Sequence, residues 1–491
     1  MKPPTEAISI ARAKAGDDLS ESDFVRVPHS EWMALNALAE AQAEELVKLR
    51  VLVSELQDKL RVNSGNSSVP PSQNRPGAKP KARKKKKGGR KRGAQKGHKG
   101  HHRELLPADE VDNIVHCELL MCAICGGPII KDDRKPVRQQ QFDIPEVKPV
   151  STEFQRESGV CELCSKRQLA PLAEGSPNGI LGPRALAMVA TLAGAYRLSK
   201  RLIRDLLADA FNLPVSLGTV SNADARVTPT LLEPHNEALT HIRNAPVVHA
   251  DETGHRNQGQ RAWVWLATTS QVTAFLVRGH RSKASAVELL GQGFFGVLIS
   301  DRYCAYLWVE TLRRQLCWAH LDRDFERIRQ RDGPCAEIGR QLKAWTRCVF
   351  AQWHRFLNGE LSREQLQEVM KPIKQNLEGW LEDGRERGGE KTAGTCGAIL
   401  ELRVALWTYL DIEGVVPTNN AAEQRIRHYV VWRKCSYGSQ SQRGDVFLER
   451  ILTVVGSLRL QNRNILDFVT ASIRAFFGKG ATPSLLPAPS N

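Results

Sequence analysis

Apolar residues first recur with helical spacing in the N-terminal part of the chain. They are separated by three or four residues, with charged side chains between them: Leu46, Leu49, Val53, Leu56 and Leu60. This is the spacing of a coiled-coil seam, over barely two heptads. We therefore expect a helix over residues 30–62, and we favour association with a second copy over packing on its own chain.

Helical spacing returns between residues 180 and 240. Apolar residues cluster in SKRLIRDLLADAF, and Pro214 then interrupts the pattern. Ser216 can cap a second helix that carries Val220 and Ala223. The two predicted helices resemble a helix-turn-helix, whose second helix reads DNA in the major groove. The alternative is a plain packing unit of two helices.

Four shorter apolar runs after residue 245 have the length of strands. Three are joined by turn-like segments, and a helical segment precedes the fourth: APVVHADET, RAWVWLATTS, TAFLVRGH and GVLISDRYCAY. The short connections predict three antiparallel strands, and the helix returns the chain so that the fourth strand lies parallel to the first and beside it. We expect a multidomain α/β protein with this sheet in residues 241–470.

Two long amphipathic segments interrupt the sheet pattern at about residues 330–412. They are PCAEIGRQLKAWTRCVFAQWHRFL and SREQLQEVMKPIKQNLEGWL, and the second opens with a Ser362-x-x-Gln365 capping box. They predict a helical insertion. Further on, GDVFLERILTVVGSLRL and ILDFVTASIRAFF predict helices that complete the domain, and residues 478–491 are expected to be a disordered tail.

The charge is concentrated in one segment. The chain has a net charge of +16, and thirteen Lys and Arg without any acid lie between Lys79 and Arg103, which leaves +3 for the rest. Residues 63–105 are too polar to form a core and are expected to be a disordered linker. We expect it to bind DNA phosphates rather than only solubilise the chain. The candidate DNA-binding cations are Lys84, Lys85, Lys86, Lys87, Arg90, Lys91 and Arg92.

Four of the eleven cysteines form two Cys-x-x-Cys pairs, Cys122 with Cys125 and Cys161 with Cys164. Two such pairs can supply four thiolates to one tetrahedral Zn²⁺, and QQQFDIP and VSTEFQ between them are interpreted as strands of a zinc ribbon. Four cysteine ligands leave no open position for water. The sequence therefore predicts a structural zinc module over residues 106–175.

Acidic residues end two strands of the predicted sheet. Asp251 and Glu252 end the first strand, and Asp301 ends the fourth. Because these strands lie side by side, Asp251 and Asp301 can converge and form an oxygen-ligand site for Mg²⁺. Neighbouring residues of a strand point to opposite faces, so only one acid of the first pair can join this site. We choose Asp251.

A third acid lies in VPTNNAAEQRIRHYVVWRKCSYGS. Thr418 or Asn419 can cap a helix that has Glu423 in its early turns and Arg427 one turn further on the same face. Asn419 and Asn420 lie about one turn ahead of the acid and could orient a phosphate. Three acids in fitting contexts predict a pair of metal ions.

No membrane or secretory segment is expected. MKPPTEAISIARAKAGDD has no continuous apolar core, and GILGPRALAMVATLAGAY is short for a membrane span and carries Pro183 and Arg184. The sequence predicts a soluble intracellular protein.

Several motifs together resemble the insertion sequence 66 family of transposases: HADETGHRN, SDRYCAY, CWAHLDRDFERI, TNNAAEQRIRHYVVWRKCSYGSQSQRG, the two cysteine pairs and NSGNSSVPPSQ. The resemblance covers nearly the whole chain. It implies an RNase H-like catalytic domain with a DDE triad and two Mg²⁺ ions, and cleavage and strand transfer at element ends. By motif, the triad is Asp251, Asp301 and Glu423.

Some other DDE transposases carry a Tyr, an Arg and a Lys at set offsets around the glutamate. Here Val416, Asn419 and Val430 stand at those offsets, so DNA binding by Arg427 and Lys434 is inferred from charge and position alone. A further candidate, His320 in CWAH, either contacts DNA near the scissile phosphate or packs in a core.

The expected partners are double-stranded DNA at the element ends and target, a second copy or a higher synaptic oligomer, and accessory proteins encoded by the same element, with no membrane. The expected location is the bacterial cytoplasm, in association with the nucleoid. One alternative is an RNase H-like nuclease or resolvase that does not join strands. The other is a non-catalytic zinc-ribbon regulator, which gives no reason for the three acids.

Overall fold

The structure is a computed structural model that describes residues 7–11, 24–63, 65–67, 103–130 and 137–487. In chain order its strands are β1 Ala7–Ala11, β2 Phe24–Pro28, β3 Ser158–Val160, β4 Arg167–Leu169, β5 Val247–Asn257, β6 Gln260–Thr268, β7 Thr273–Arg278, β8 Val297–Ser300 and β9 Arg314–Leu316.

The helices in chain order are α1 His29–Arg61, α2 Pro183–Gly194, α3 Lys200–Phe211, α4 Leu217–Thr230, α5 Leu232–Asn244, α6 Lys283–Leu290, α7 Trp318–Arg329, α8 Pro334–Leu357, α9 Arg363–Arg387, α10 Glu390–Leu400, α11 Thr408–Asp411, α12 Asn420–Ser436, α13 Gln442–Leu460 and α14 Ile465–Phe476. The predicted mixture of helices and a mixed sheet is confirmed.

The chain divides into two compact units, each formed by two stretches of sequence. The helical unit comprises residues 1–82 and 318–401, and the sheet unit comprises residues 83–317 and 402–491. The helical unit contains the β1–β2 hairpin, α1 and α7 to α10. The sheet unit contains all the other elements.

In the helical unit, the long helices predicted at the insertion are confirmed as α8 and α9. The capping box of α9 is present, because the Ser362 hydroxyl accepts from the Gln365 N–H and the Gln365 side chain accepts from the Ser362 N–H. The seam residues of α1 remain between 47 and 58% exposed: Leu46, Leu49, Val53, Leu56 and Leu60. The described chain therefore leaves the predicted seam uncovered.

A turn after α1 fixes the C-terminal end of that helix. Asn66 is 1% exposed; its side chain accepts from the Asn63 N–H at 2.8 Å and donates to Arg61 O at 2.8 Å. It also donates to Gln330 Oε1 at 2.6 Å, just beyond α7. Asn66, in the segment expected to begin the linker, therefore connects the end of α1 to Gln330 within this unit.

The sheet unit contains a five-stranded sheet in the order β7-β6-β5-β8-β9. β5, β6 and β7 are antiparallel neighbours, while β8 runs parallel to β5 and β9 parallel to β8. The predicted arrangement of the first four strands is confirmed, including α6 between β7 and β8. β9 was missed, because Arg314 and Gln315 in this strand are polar residues that are nevertheless buried.

The outer edge of β7 is covered by α13. The backbone N–H groups of β7 donate to side chains that are spaced one turn apart on α13: Thr273 to Ser457 at 3.0 Å, Phe275 to Thr453 at 3.0 Å and Val277 to Glu449 at 2.7 Å. An open sheet edge would leave these groups free to pair with another chain. Polar residues in a buried helix face therefore complete the sheet.

Two details of the sequence analysis are wrong. The first concerns the strand APVVHADET, expected to end at Thr253: β5 continues to Asn257, and only Gln258 and Gly259 form the turn, with φ of 50° and 75°. Positive φ at both residues is typical of the tight hairpin turn that matches strand twist. The second concerns QQQFDIP and VSTEFQ, which form no strand. Instead β3 and β4 pair across the second cysteine turn, because that turn aligns its own flanks.

The predicted helix pair is present as α3 and α4. The Ser216 hydroxyl caps α4 by accepting from the Thr219 N–H at 3.1 Å, and Ile203 and Leu207 of α3 are buried. Leu202 is 55% exposed, so the apolar face is narrower than expected. In the predicted tail, Leu485 is buried and donates its N–H to Glu237.

Candidate metal-binding carboxylate site

Two of the three candidate acids follow neighbouring parallel strands. β5 and β8 pair with Val247 opposite Val297 and His249 opposite Ile299. Extending this register by two residues brings Asp251 level with Asp301, the residue directly after β8. Both acids are half-buried. The sheet therefore places side by side two acids that are far apart in sequence.

The third acid, Glu423, lies in the first turn of α12, which packs against β5. The residue before the helix, Asn419, is 1% exposed and donates its side-chain amide to Ala250 O at 2.7 Å. Its N–H donates to the buried thiol of Cys317 at 3.1 Å. These bonds fasten the start of α12 beside the strand that carries Asp251.

The predicted capping of α12 by a side chain is wrong. The helix begins at Asn420, and Asn419 in the cap position makes no capping hydrogen bond. Its side-chain oxygen instead lies 3.1 Å from His249 Nδ1, and its amide is used by β5. Asn419 is therefore not available to orient a phosphate, whereas Asn420 is exposed.

The electrostatics of this group favour a cation. Burial raises the pKa of Asp251 well above its usual value, and the charges of Glu252, Asp301 and Glu423 raise this pKa further. The N–H of Glu252 donates to Asp251 at 2.9 Å and opposes the shift without cancelling it. Carboxylate oxygens are the ligands that Mg²⁺ prefers, and a divalent cation would relieve the repulsion. The donor set therefore fits Mg²⁺.

Glu252 has its own partners. It is 8% exposed, accepts from Arg281 Nε at 2.9 Å and accepts from the Tyr306 hydroxyl at 2.5 Å. Burial and the charge of Asp301 raise its pKa, while Arg281 and Tyr306 oppose that shift. A carboxylate held by these two partners is a structural anchor.

This anchor is connected to Asp301. The guanidinium of Arg281 lies 3.5 Å from the centre of the Tyr303 ring, and the Tyr303 hydroxyl donates to Arg281 O at 2.6 Å. The Tyr303 N–H in turn donates to Asp301 Oδ1 at 2.9 Å. Glu252 therefore helps to fix the orientation of the Asp301 carboxylate. This series of contacts was not predicted from the sequence, although the tyrosines of SDRYCAY follow the acid closely.

A buried arginine supports the backbone at the same point. Arg314 on β9 is 1% exposed and donates to Asp301 O at 3.0 Å and to the Ser300 hydroxyl at 3.3 Å. Burial lowers the pKa of Arg314, and the charge of Asp301 opposes that shift. The arginine thus adds positive charge behind the carboxylates.

A second buried cluster, also missed, lies at the far end of β5. His255 Nδ1 is 2.7 Å from the Tyr429 hydroxyl, and its Nε2 is 2.9 Å from both Ser439 and Asp445. Burial would raise the pKa of Asp445, but hydrogen bonds from His255, Ser439 and Asn257 lower it. Serine and aspartate share one ring nitrogen, unlike a nucleophilic triad. The cluster therefore fastens the loop after α12 to β5.

Each cysteine pair forms the same tight turn. In the first, the Cys122 N–H donates to Gly127 O at 2.8 Å and the Gly126 N–H donates to Cys122 O at 2.9 Å. The second repeats both bonds, with Cys161 donating to Lys166 O at 3.0 Å and Ser165 donating to Cys161 O at 2.8 Å. The repeated geometry is that of two matching ligand knuckles.

The surroundings of each pair favour ionisation of its first thiol. Backbone hydrogen bonds from Cys125 and Ile124 lower the pKa of Cys122, and the equivalent bonds from residues 164 and 163 lower that of Cys161. Thiolates are the form that binds zinc. In the described part of the chain, no three of the four sulfurs lie within 4.8 Å of one another. The two cysteine turns thus share one geometry, and the four-cysteine zinc site stays a prediction.

The other candidate residues occupy varied positions. Arg427 and Lys434 are exposed on α12. His320 is half-buried on α7, in the helical unit. The seven cations of the basic linker lie outside the described residues.

Comparison with known proteins defines the class. Residues 178–446, more than half of the chain, match a family of transposases. The chain belongs to the IS66 transposase family. Residues 26–104 match a family of unknown function, DUF6444. The uncharacterized protein y4hP of Sinorhizobium fredii is 23% identical over 379 residues, covering 70% of this chain and 68% of that protein.

Membership of this family makes the protein a nucleic-acid-processing enzyme of the transposase type, which binds DNA. The recognised region includes all three candidate acids and α4, but not the cysteine pairs. Among the described residues, no helix combines the length and apolar character needed to cross a membrane.

Proposed function

We propose that the protein is a DDE transposase that binds the ends of an insertion sequence and carries out Mg²⁺-dependent cleavage and strand transfer of DNA. The observation that carries this proposal is that Asp251 on β5, Asp301 after β8 and Glu423 on α12 lie close enough for the charges of the last two to raise the pKa of Asp251. The strand order β7-β6-β5-β8-β9 supports an RNase H-like catalytic domain.

In this proposal, Asp251, Asp301 and Glu423 hold two Mg²⁺ ions. When bound, Mg²⁺ stabilises the charge that develops on the phosphate oxygens and favours ionisation of the attacking hydroxyl. The protein positions the three carboxylates: β5 and β8 set the first two, and the bonds of Asn419 to β5 set the third. No covalent bond between protein and DNA is needed, so the buried Ser439 has no catalytic role.

DNA binding would be divided among several parts of the chain. The basic linker would bind phosphates without reading sequence, and α4 with the zinc ribbon would recognise the element ends. Arg427 lies one turn after Glu423 and Lys434 two turns further, so both continue the same helix face. These exposed cations and Asn420 are placed to guide a strand toward the acids. His320 is retained as a candidate DNA-binding residue.

The same proposal assigns a role to zinc and to self-association. Cys122, Cys125, Cys161 and Cys164 would bind one structural Zn²⁺, and the lowered pKa of the first thiol of each pair supports this. The exposed leucine seam of α1 supports pairing with a second copy, as a synaptic complex of two element ends requires. The enzyme would act on the nucleoid in the bacterial cytoplasm, with accessory proteins of the same element.

Incubation of the purified protein with duplexes that carry candidate element ends tests this function, with and without Mg²⁺. We expect Mg²⁺-dependent cleavage at the end, followed by joining of the 3′ end to a second duplex. Parallel reactions with Asp301→Asn identify the site. Cleavage without joining would favour a nuclease or resolvase, and end binding with no cleavage under any condition would favour a non-catalytic regulator.

A further inference from the structure

A second exposed surface lies on the sheet unit, away from the carboxylates along β5. It is formed by the β5–β6 hairpin, residues 256–261, and by the segment after α12, residues 434–443; we call it the hairpin surface. Its exposed side chains are cations, glutamines, one cysteine and one tyrosine: Arg256, Gln258, Gln260, Arg261, Lys434, Cys435, Tyr437, Gln440, Gln442 and Arg443. Apart from Lys434, the proposed chemistry gives these side chains no role.

The two segments are joined by backbone bonds. The Ser439 N–H donates to Arg256 O at 2.9 Å, and the Gln258 N–H donates to Ser439 O at 3.0 Å. The side-chain amide of Gln258 adds a bond to Gln440 O at 3.1 Å. Below them, the buried cluster of His255, Ser439 and Asp445 fastens the same loop to β5. These bonds therefore hold the two segments of the hairpin surface in place relative to each other.

Tyr437 lies in the second of these segments, directly after α12. Its side chain is 82% exposed, and its φ of 60° is uncommon for a residue other than glycine or asparagine. Gly438 follows with φ of 107°, and a Cβ there would collide with Arg256 O, so only glycine fits at this position. Glycine or asparagine at position 437 would make the same turn more easily. What tyrosine adds is an exposed aromatic ring on a backbone turn that is held in place.

The charge of the surroundings identifies the partner. Residues 253–287 and 424–444 contain no Asp or Glu. The nearest acids beneath the surface, Asp445 and Glu449, are buried and paired with His255 and Arg278. Cations and amides around an exposed aromatic ring form the combination that binds nucleic acid by phosphate contacts and base stacking.

We propose that the hairpin surface binds DNA, with Arg256, Arg261 and Lys434 contacting phosphates and Tyr437 stacking on an exposed base. This rests on the proposed function, because Lys434 lies on the helix face that begins at Glu423. A strand that follows α12 from the acids arrives at Tyr437. The surface would therefore bind the strand end or the unpaired flank that cleavage exposes.

The test uses the full-length protein and a duplex with a single-stranded extension that carries 2-aminopurine, whose fluorescence falls on stacking. We expect Tyr437→Ala to abolish the quenching and to weaken binding of the extended duplex about fivefold or more, with little effect on a blunt duplex. Tyr437→Phe should retain both properties. The matched control is Tyr196→Ala, an exposed tyrosine of the same unit.

A second pair of variants tests the phosphate contacts. Arg256→Ala with Arg261→Ala should lower the salt dependence of binding by about 0.7–0.9 log unit per log salt for each phosphate that is no longer neutralised. Arg474→Ala, an exposed arginine of α14, should leave it unchanged. Unchanged quenching in Tyr437→Ala together with an unchanged salt slope in the double variant would overturn the proposal, as would a surface that binds RNA but not DNA.

The outcomes separate this inference from the proposed function. Mg²⁺-dependent cleavage by Tyr437→Ala with normal quenching, together with an unchanged salt slope in Arg256→Ala with Arg261→Ala, would refute the hairpin surface alone. Absence of quenching in Tyr437→Ala, in a protein that never cleaves, would support the surface and refute the transposase chemistry.

Discussion

The cysteine pairs and the carboxylate site are prepared for metal in opposite ways. Each cysteine pair is shaped by its own turn, and backbone hydrogen bonds from the next few residues lower the pKa of the first thiol. The carboxylates come from β5, the end of β8 and α12, and burial with mutual repulsion raises the pKa of Asp251. The first kind of site is stabilised in its ionised form by local structure, whereas the second is held in an unfavourable state by the fold.

This difference explains how far sequence alone could predict each site. The spacing of the two cysteines is sufficient to predict a Cys-x-x-Cys turn, because the residues between them form that turn. The convergence of Asp251 and Asp301 required a correct strand order, which the short connections and the helix α6 supplied. The alternation of side chains along β5 then separated Asp251 from Glu252.

Other features could not be predicted because they depend on contacts between distant residues. β9 contains buried polar residues, so no apolar pattern marks it. The partners of Glu252 and His255 are distant in sequence, and the residue types alone do not show which groups pair. Asn419 resembled a helix cap, but tertiary bonds to β5 and His249 use its side chain instead. In each case, contacts with distant residues decided the outcome, and these contacts are not visible in the local sequence.

The largest expected effect tests whether the acids act as one non-local site. Asp251→Asn, Asp301→Asn and Glu423→Gln should each reduce Mg²⁺-dependent cleavage by at least about a thousandfold, because each removes a charge that would hold the proposed metal pair. Binding of element ends should be retained within a few fold in a gel-shift assay. Near-normal cleavage by any one variant would remove that residue from the site.

The next test asks whether the cysteine site is independent of the carboxylates. We expect about one tightly bound Zn per chain by elemental analysis, and none in Cys161→Ser with Cys164→Ser. The zinc content of the three acid variants should be unchanged, since the knuckles are formed locally. Full zinc retention by the double cysteine variant would refute the ribbon.

A smaller effect is expected at Glu252. Glu252→Gln should weaken Mn²⁺ binding, measured by calorimetry, about tenfold, because Arg281 and Tyr303 would no longer hold Asp301 firmly. Glu449→Gln is the matched control, since Glu449 is also a buried acid paired with an arginine. Equal Mn²⁺ affinity in the two variants, at similar melting temperatures, would show that Glu252 only stabilises the fold.

The smallest effect concerns stability without metal. Because the pKa of Asp251 is raised in the folded state, the native protein binds this proton more tightly than the unfolded chain. The associated stability is present at low pH and is lost as pH rises through the folded pKa. Asp251→Asn removes the repulsion, so in EDTA at pH 8 it should melt roughly 1–2 °C above the parent, the shift expected for about 1 kcal/mol in a unit of several hundred residues.

This gain should shrink at pH 5, where more of Asp251 is protonated in the parent, and Mg²⁺ at pH 8 should stabilise the parent but not the variant. Scanning calorimetry with and without Mg²⁺ measures both differences. For a cysteine pair we expect the opposite, because local hydrogen bonds already favour the thiolate of the first cysteine before metal binds. A variant less stable than the parent in EDTA at both pH values would mean that Asp251 makes favourable contacts in the metal-free fold, and the contrast between the two sites would fail at its central point.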